Sequence, residues 1–106
     1  MRINIFKLFI LILIHYYKPH GYELMKRVRE ISRGLIRPGP GTMYPLLLLL
    51  KSQKLIREIG EGDRRKKYEL TDKGLEVLRV YLPKFRGMLC DLMEIVDNEL
   101  SELNIT

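Results

Sequence analysis

Apolar residues recur at helical spacing in the first part of the 106-residue chain and predict two helices there. The first runs from about Ile3 to Tyr17 and ends at Lys18-Pro19, because the residue before a proline avoids the helical region. Its apolar residues surround the helix almost completely, which favours packing against its own domain on one side and a partner on another. The second begins at His20, runs to about Arg33 and has a charged outer side.

Residues 38–70 predict a turn, a third helix and a two-stranded hairpin, around which the rest of the chain is organised. Thr42 is the expected N-cap of the helix, which places Pro45 in its first turn, where a missing N–H costs least. The free amides of that turn suit a phosphate. The expected core side chains are Met43, Leu47 and Leu50, with Leu46 partly buried and Leu48 and Leu49 facing outward.

Apolar and polar residues alternate over residues 55–59, as in one strand of a hairpin. Lys67-Tyr68-Glu69-Leu70 supplies the return strand, and the glycine-containing basic stretch 60–66 forms the tip. A helix followed by a hairpin with a basic tip is typical of a helix that enters a DNA groove beside a wing that touches phosphates.

The last predicted helix starts near Thr71 and carries a heptad seam, with Tyr81, Met88 and Ile95 widening it. A small domain cannot cover a helix of roughly 30 residues, about 45 Å, but a second copy can. Pro83 is expected to kink or split the helix. The predicted dimer interface combines this seam with the first helix: Leu8, Leu11, Leu78, Leu82, Phe85, Leu89, Leu92 and Val96.

The predicted fold is therefore mainly α with a small β-hairpin. A winged helix-turn-helix covers residues 1–71, and a long C-terminal dimerisation helix covers residues 72–106. Both parts fit one chain of this length, which supports a modest core.

The net charge of +6 is unevenly distributed, since all 19 Lys and Arg lie in residues 1–86 and the last 20 residues carry five acidic groups. A basic body indicates a polyanionic partner such as double-stranded DNA, although a merely soluble basic surface is as compatible with the charge alone. The expected DNA-binding residues are Thr42, Tyr44, Lys51, Arg64, Arg65 and Lys66. The alternatives are a core role for Tyr44 and a solvated turn for the wing tip.

No combination of residues predicts catalysis, a metal or a cofactor. The single Cys90 lies in an apolar helical pattern and is expected to be a buried thiol, and His15 and His20 have no companions at ligand spacing. The uninterrupted apolar run Leu8–Ile14 is far shorter than the roughly 20 residues of a membrane span. We therefore expect a cytoplasmic protein.

Several motifs together resemble the PadR-type transcriptional regulators over about residues 11–78. The resemblance rests on His20-Gly21-Tyr22-Glu23-Leu24, Pro40-Gly41-Thr42-Met43-Tyr44-Pro45, Lys54-Leu55-Ile56 and the run from Arg64 to Gly74. The single long C-terminal helix resembles the small subgroup of that family. The five consecutive leucines 46–50 depart from it, since relatives usually alternate apolar and polar residues there.

The resemblance implies a non-catalytic homodimer joined mainly through the last helix, with each recognition helix in a major groove. The first hypothesis is a repressor that occupies an inverted repeat, because a two-fold dimer prefers a two-fold site. In some relatives a flat aromatic effector binds at the dimer interface and releases the DNA. Tyr81, Phe85 and Met88 are candidates for such a pocket or for plain interface packing. His20 and Tyr22 are expected to be structural, with the imidazole bracing the second helix and the tyrosine ring packed inward.

Two other functions remain open at this stage. The outward leucines favour a protein–protein interaction module with only non-specific DNA binding. A membrane-associated protein anchored by the first helix is the third hypothesis.

Overall fold

Four helices and one hairpin make up the fold in the computed structural model, which describes residues 3–60 and 66–106. The order of elements is α1 (Ile5–Tyr17), α2 (Gly21–Ile31), α3 (Pro40–Ser52), β1 (Ile56–Ile59), β2 (Lys67–Leu70) and α4 (Asp72–Glu102). This architecture confirms the predicted fold class, a mainly α chain with a small antiparallel hairpin.

Helix α1 lies at the centre of the core. It begins where the Asn4 side chain accepts a hydrogen bond from the Lys7 amide at 2.8 Å, and it ends at Lys18, which has a left-handed backbone with φ 48°. Leu11 and Ile14 are completely buried. The core around them combines side chains from all six elements and the turn before β1: Leu24, Met25, Val28, Met43, Leu47, Leu50, Leu55, Ile56, Tyr68, Leu70, Val77 and Leu78.

The turn between α2 and α3 fixes the start of α3 two residues before the predicted N-cap. Gly39 is the N-cap and Pro40 occupies the first helical position, a place where its missing N–H is harmless. The prediction of Thr42 as N-cap was therefore wrong. Pro45 falls in the second turn, where the amide that it lacks would have bonded the Gly41 carbonyl.

The hairpin is joined to the α1–α2 turn as well as to itself. Its register pairs Ile56 with Leu70 and Glu58 with Tyr68. The Tyr68 amide donates to the Pro19 carbonyl at 3.0 Å, and His20 forms an isolated bridge with Lys67. The α1–α2 turn thus pairs with β2 as a short, strand-like third segment on the side away from β1.

The first turn of α4 is attached to the turn that precedes β1. Thr71 Oγ1 donates to the Lys54 carbonyl at 2.5 Å and accepts from the Gly74 amide at 3.2 Å, which caps the helix. Gly74 is buried against the backbone of Leu55, so a methyl group there would overlap the Leu55 carbonyl oxygen. Val77 and Leu78 continue this contact into the core.

Beyond that attachment α4 leaves the body of the molecule, which measures 53 Å in its longest dimension. The helix is continuous through Pro83, so the chain is not split there. From Arg86 to Thr106 every residue is exposed within the single chain. Cys90 is consequently exposed rather than buried as predicted, because none of the described elements covers it.

Within the two described ranges, no helix combines the length and the apolar character that crossing a membrane requires.

Candidate nucleic-acid interface

The start of α3 is exposed but offers fewer free amides than predicted. Thr42 is exposed in the first turn. The amides of Thr42 and Met43 both donate to the Gly39 carbonyl, at 3.1 and 2.9 Å. Binding of an anion here would therefore depend on the helix dipole and on side chains such as the Thr42 hydroxyl.

Tyr44 is a surface residue whose ring is held in place, not a core residue. Its side chain is 47% exposed. A Cβ atom built on Gly21 would lie 2.9 Å from Tyr44 Cε1 and 3.1 Å from its hydroxyl oxygen. The ring therefore rests against the first residue of α2, where only glycine leaves room for it.

Tyr22 and His20 differ from their predicted roles. Tyr22 is largely exposed, because the inner position at the start of α2 belongs to Gly21 and the ring of Tyr44. The His20 side chain makes no capping hydrogen bond to α2. Among the described residues its Nδ1 is buried without a hydrogen-bond partner, and the His20 carbonyl accepts a hydrogen bond from the Leu24 amide at 2.9 Å, which joins His20 to the first turn of α2.

Leu48 lies between Tyr44 and Lys51 on the outer side of α3. Residues four and seven positions apart on a helix share a face, so these three side chains form one stripe, here called the outer stripe. Leu48 is 66% exposed, and Leu49 beside it is also exposed, as predicted. Met43, Leu47 and Leu50 point the other way and are buried, which confirms the predicted inner face.

Lys51 and Lys66, both predicted to bind DNA, meet at one carboxylate that the sequence reasoning missed. Lys51 Nζ lies 2.6 Å from Glu58 Oε1, and Lys66 Nζ lies 3.3 Å from Glu58 Oε2. The hydrogen bond from Lys51 is the main cause that lowers the pKa of Glu58, and the same bond raises the pKa of Lys51. Glu58 and Lys51 are therefore both charged at neutral pH.

Glu58 could have been found from the sequence by its position in the strand. It follows Ile56 by two residues and faces Tyr68 across the hairpin, so it shares the side of the sheet that bears buried apolar residues. An acidic residue at such a position needs a cation nearby. Burial, and then the negative charge of Glu58, raise the pKa of the Tyr68 hydroxyl.

The two arginines predicted at the wing tip, Arg64 and Arg65, lie outside the described residues. Lys66, the first described residue after that gap, is exposed and extends the outer stripe toward the wing through Glu58.

The exposed part of the predicted dimer interface lies on α4. Leu8, Leu11 and Leu78 are instead buried inside the single chain, where they pack in the core, and their place at the interface stays a prediction. Phe85 is partly buried. The remaining positions are exposed along α4 and stay candidates for the interface: Leu82, Leu89, Leu92 and Val96.

The three residues considered for an effector site line one groove. Tyr81, Phe85 and Met88 face the start of α1 across a space of about 180 Å³ that Lys84 also borders. A second groove, lined wholly by apolar side chains, lies on the other side of Phe85 and includes Ile12 and Leu89. Both grooves lie where the exposed half of α4 begins.

Comparison with known proteins identifies the family. Residues 10–80 match the model of the "Transcriptional regulator PadR-like family". Over 59 residues the chain is 39% identical to the transcriptional regulator YqjI of Escherichia coli, a match that covers 56% of this chain and 28% of that protein. The matched stretch thus accounts for little more than a quarter of the length of that curated relative.

Solved structures match nearly the whole chain. A PadR-like regulator from Bacillus cereus superimposes with a TM-score of 0.69 and 29% identity, covering 87% of this chain and 90% of that one. A PadR-family regulator from Clostridium difficile also gives a TM-score of 0.69, with 26% identity over 88% of this chain and 99% of that one. The family consists of regulators, not enzymes. The chain belongs to the PadR-like family of transcriptional regulators.

Proposed function

We propose that this protein is a sequence-specific double-stranded DNA-binding regulator that reads a major groove with the outer stripe of α3. The observation that carries the proposal is the continuity of this surface. Tyr44, Leu48 and Lys51 follow one face of α3, and Lys66 joins them at the base of the wing. Helix-turn-helix proteins place such a helix in the groove while flanking cations contact phosphates.

We also propose that the protein acts as a homodimer joined through the exposed half of α4. Leu89, Leu92 and Val96 recur at heptad spacing and are exposed in the described part of the single chain. A two-fold dimer prefers an inverted repeat whose half-sites lie about one helical turn apart. Occupation of such an operator would repress transcription, and the cytoplasm is the compartment in which it would act.

The groove lined by Tyr81, Phe85 and Met88 supports a further part of the proposal, release from DNA by a small aromatic effector. The groove runs between α1 and the exposed half of α4, so a ligand bound there would alter the interface between two copies.

Fluorescence anisotropy of labelled duplexes tests the proposed DNA binding. The DNA should cover the region upstream of the protein's own gene, with random duplex as the reference and several salt concentrations for each. We expect tight binding to one part of that region, and its loss in Tyr44→Ala and in Arg64→Ala/Arg65→Ala. Each phosphate contact removed should lower the salt slope by about 0.9.

Equal, weak binding to every duplex would contradict sequence-specific regulation. It would favour the second candidate function, a protein–protein interaction module, which the exposure of Leu48 and Leu49 supports. Association with a protein partner that resists high salt would then identify the leucines as the contact surface, because apolar contacts are not screened by ions.

A further inference from the structure

Glu58 lies on the inner face of the hairpin yet reaches the proposed DNA-binding surface. It pairs with Tyr68 across the strands, and its side chain is 26% exposed. Its neighbour on the same face, Ile56, is buried in the core. The strand therefore fixes the backbone of Glu58, and the carboxylate emerges at the edge where the hairpin meets the end of α3.

Each oxygen of this carboxylate holds one lysine from a different part of the surface. Oε1 accepts from Lys51 in the last turn of α3 at 2.6 Å, and Oε2 lies 3.3 Å from Lys66 just before β2. Both lysine side chains remain partly exposed, Lys51 at 37% and Lys66 at 48%. A phosphate can therefore approach either lysine, but in competition with Glu58.

We propose that Glu58 is a specificity-determining residue, which withholds Lys51 and Lys66 from DNA phosphates unless the duplex fits the surface closely. This inference rests on the proposed function of the outer stripe and the wing in DNA binding. Lysine–phosphate contacts supply affinity without sequence information, and they do so by releasing counterions. A carboxylate that already neutralises two lysines reduces that affinity for every loosely docked duplex, and so preserves the preference for a matching one.

The test compares Glu58→Gln with Glu69→Gln. Glu69 is the matched control because it lies in the same hairpin and pairs with Arg57 at 2.9 Å, on the opposite face of the sheet. Both variants lose one negative charge, but only the first releases the two lysines. Binding is measured by anisotropy on random duplex and on the upstream duplex that the wild-type protein prefers, over a salt series.

We expect Glu58→Gln to bind random duplex more tightly, with a salt slope steeper by up to about 1.8, or 0.9 for each released lysine. Because of this steeper slope, the gain in affinity over the wild-type protein should become about twelvefold larger when the salt concentration is lowered fourfold. The preference for the upstream duplex should fall accordingly. Glu69→Gln should change the slope by less than about 0.5.

A double substitution, Lys51→Gln/Lys66→Gln, identifies the lysines as the cause. In the wild-type background it should leave the slope on random duplex almost unchanged, whereas together with Glu58→Gln it should cancel the gain. If Glu58→Gln fails to fold, as judged by circular dichroism, the double lysine substitution in the wild-type background decides the inference by itself.

Two results would overturn the inference while leaving the proposed function intact. One is an unchanged slope and preference in folded Glu58→Gln. The other is a drop of about 1.8 in the slope when the lysines are replaced in the wild-type background, since the lysines would then already contact random DNA. A wild-type protein without any preference among duplexes would overturn both the proposed function and this inference.

Discussion

The ring of Tyr44 rests on the backbone of Gly21, so the first residue of α2 sets the direction of a side chain on α3. A Cβ atom at position 21 would lie 2.9 Å from Tyr44 Cε1, closer than packed carbon atoms approach. The turn of the helix-turn-helix therefore brings together two residues that are 23 positions apart in the chain. The orientation of Tyr44 depends on this one missing methyl group.

Gly21→Ala should weaken DNA binding by displacing the Tyr44 ring into solvent. Because the ring is already half-exposed, the protein should still fold, while the affinity for the preferred duplex falls about tenfold, the loss typical of one good base contact. Anisotropy measures the affinity and thermal unfolding the stability. In a double-mutant cycle, Gly21→Ala should cost little more once Tyr44→Ala is present. Additive losses would show that Gly21 acts independently of Tyr44.

Leu48 should recognise a thymine methyl group, since it is the apolar centre of the outer stripe. Replacing single thymines of the preferred duplex by deoxyuridine removes only that methyl. We expect about fourfold weaker binding at the contacted position, from the roughly 0.8 kcal/mol that burial of one such group contributes. Leu48→Ala should abolish the difference between the two duplexes. Leu49→Ala, at the next exposed position, is the control and should retain it.

The charge of Glu58 should make stability depend on pH in the acidic range. Since the lysine contacts lower the pKa of Glu58 in the folded state, folding favours its ionised form. The stabilisation relative to Glu58→Gln should be complete above about pH 4.5, the ordinary value for this carboxyl, and should disappear as the pH falls through the lowered pKa. Denaturant unfolding of both proteins between pH 7 and pH 3 measures this difference. A gap that stays constant over this range would exclude a contribution from the ionised carboxylate.

Leu92→Glu should separate the proposed dimer. Leu92 is exposed within the single chain. In a two-fold interface the substitution would bury two carboxylates, one from each copy. Loss of two leucine contacts corresponds to about 3–6 kcal/mol of dimerisation free energy. Sedimentation equilibrium should show monomers at concentrations where the wild type is dimeric. Leu35→Glu makes the same change at an exposed position outside α4 and should leave the dimer intact.

The parts of the fold that follow from periodicity were predictable from the sequence. Strand β2 has the predicted bounds, and Met43, Leu47 and Leu50 are buried, because alternation and helical spacing decide which side chains face a core. The same periodicity placed Leu8, Leu11 and Leu78 at an interface. It registers an apolar face but does not distinguish a core from a contact with a second chain.

The errors at the site come from contacts between elements that are distant in the chain. Thr42 resembles an N-cap locally, yet the proline two residues earlier already starts the helix. Tyr22 fits the inner face of α2 by spacing, but the ring of Tyr44 covers the adjoining Gly21. The position of Glu58 in the strand indicates a need for a cation, but only the folded hairpin shows that its partners are Lys51 of α3 and Lys66 beside the wing.

The attachment of α4 at Gly74 and Thr71 gives the long helix the mechanics of a lever. Its first turn is fastened to the backbone just before the wing, and its far half, from Arg86 onward, is exposed in the part of the chain that the structure describes. A tilt of about 5° at the base would displace the end of a 31-residue helix by about 4 Å. A small displacement at the wing would therefore accompany a much larger movement at the far end of α4, because the helix moves as a rigid body.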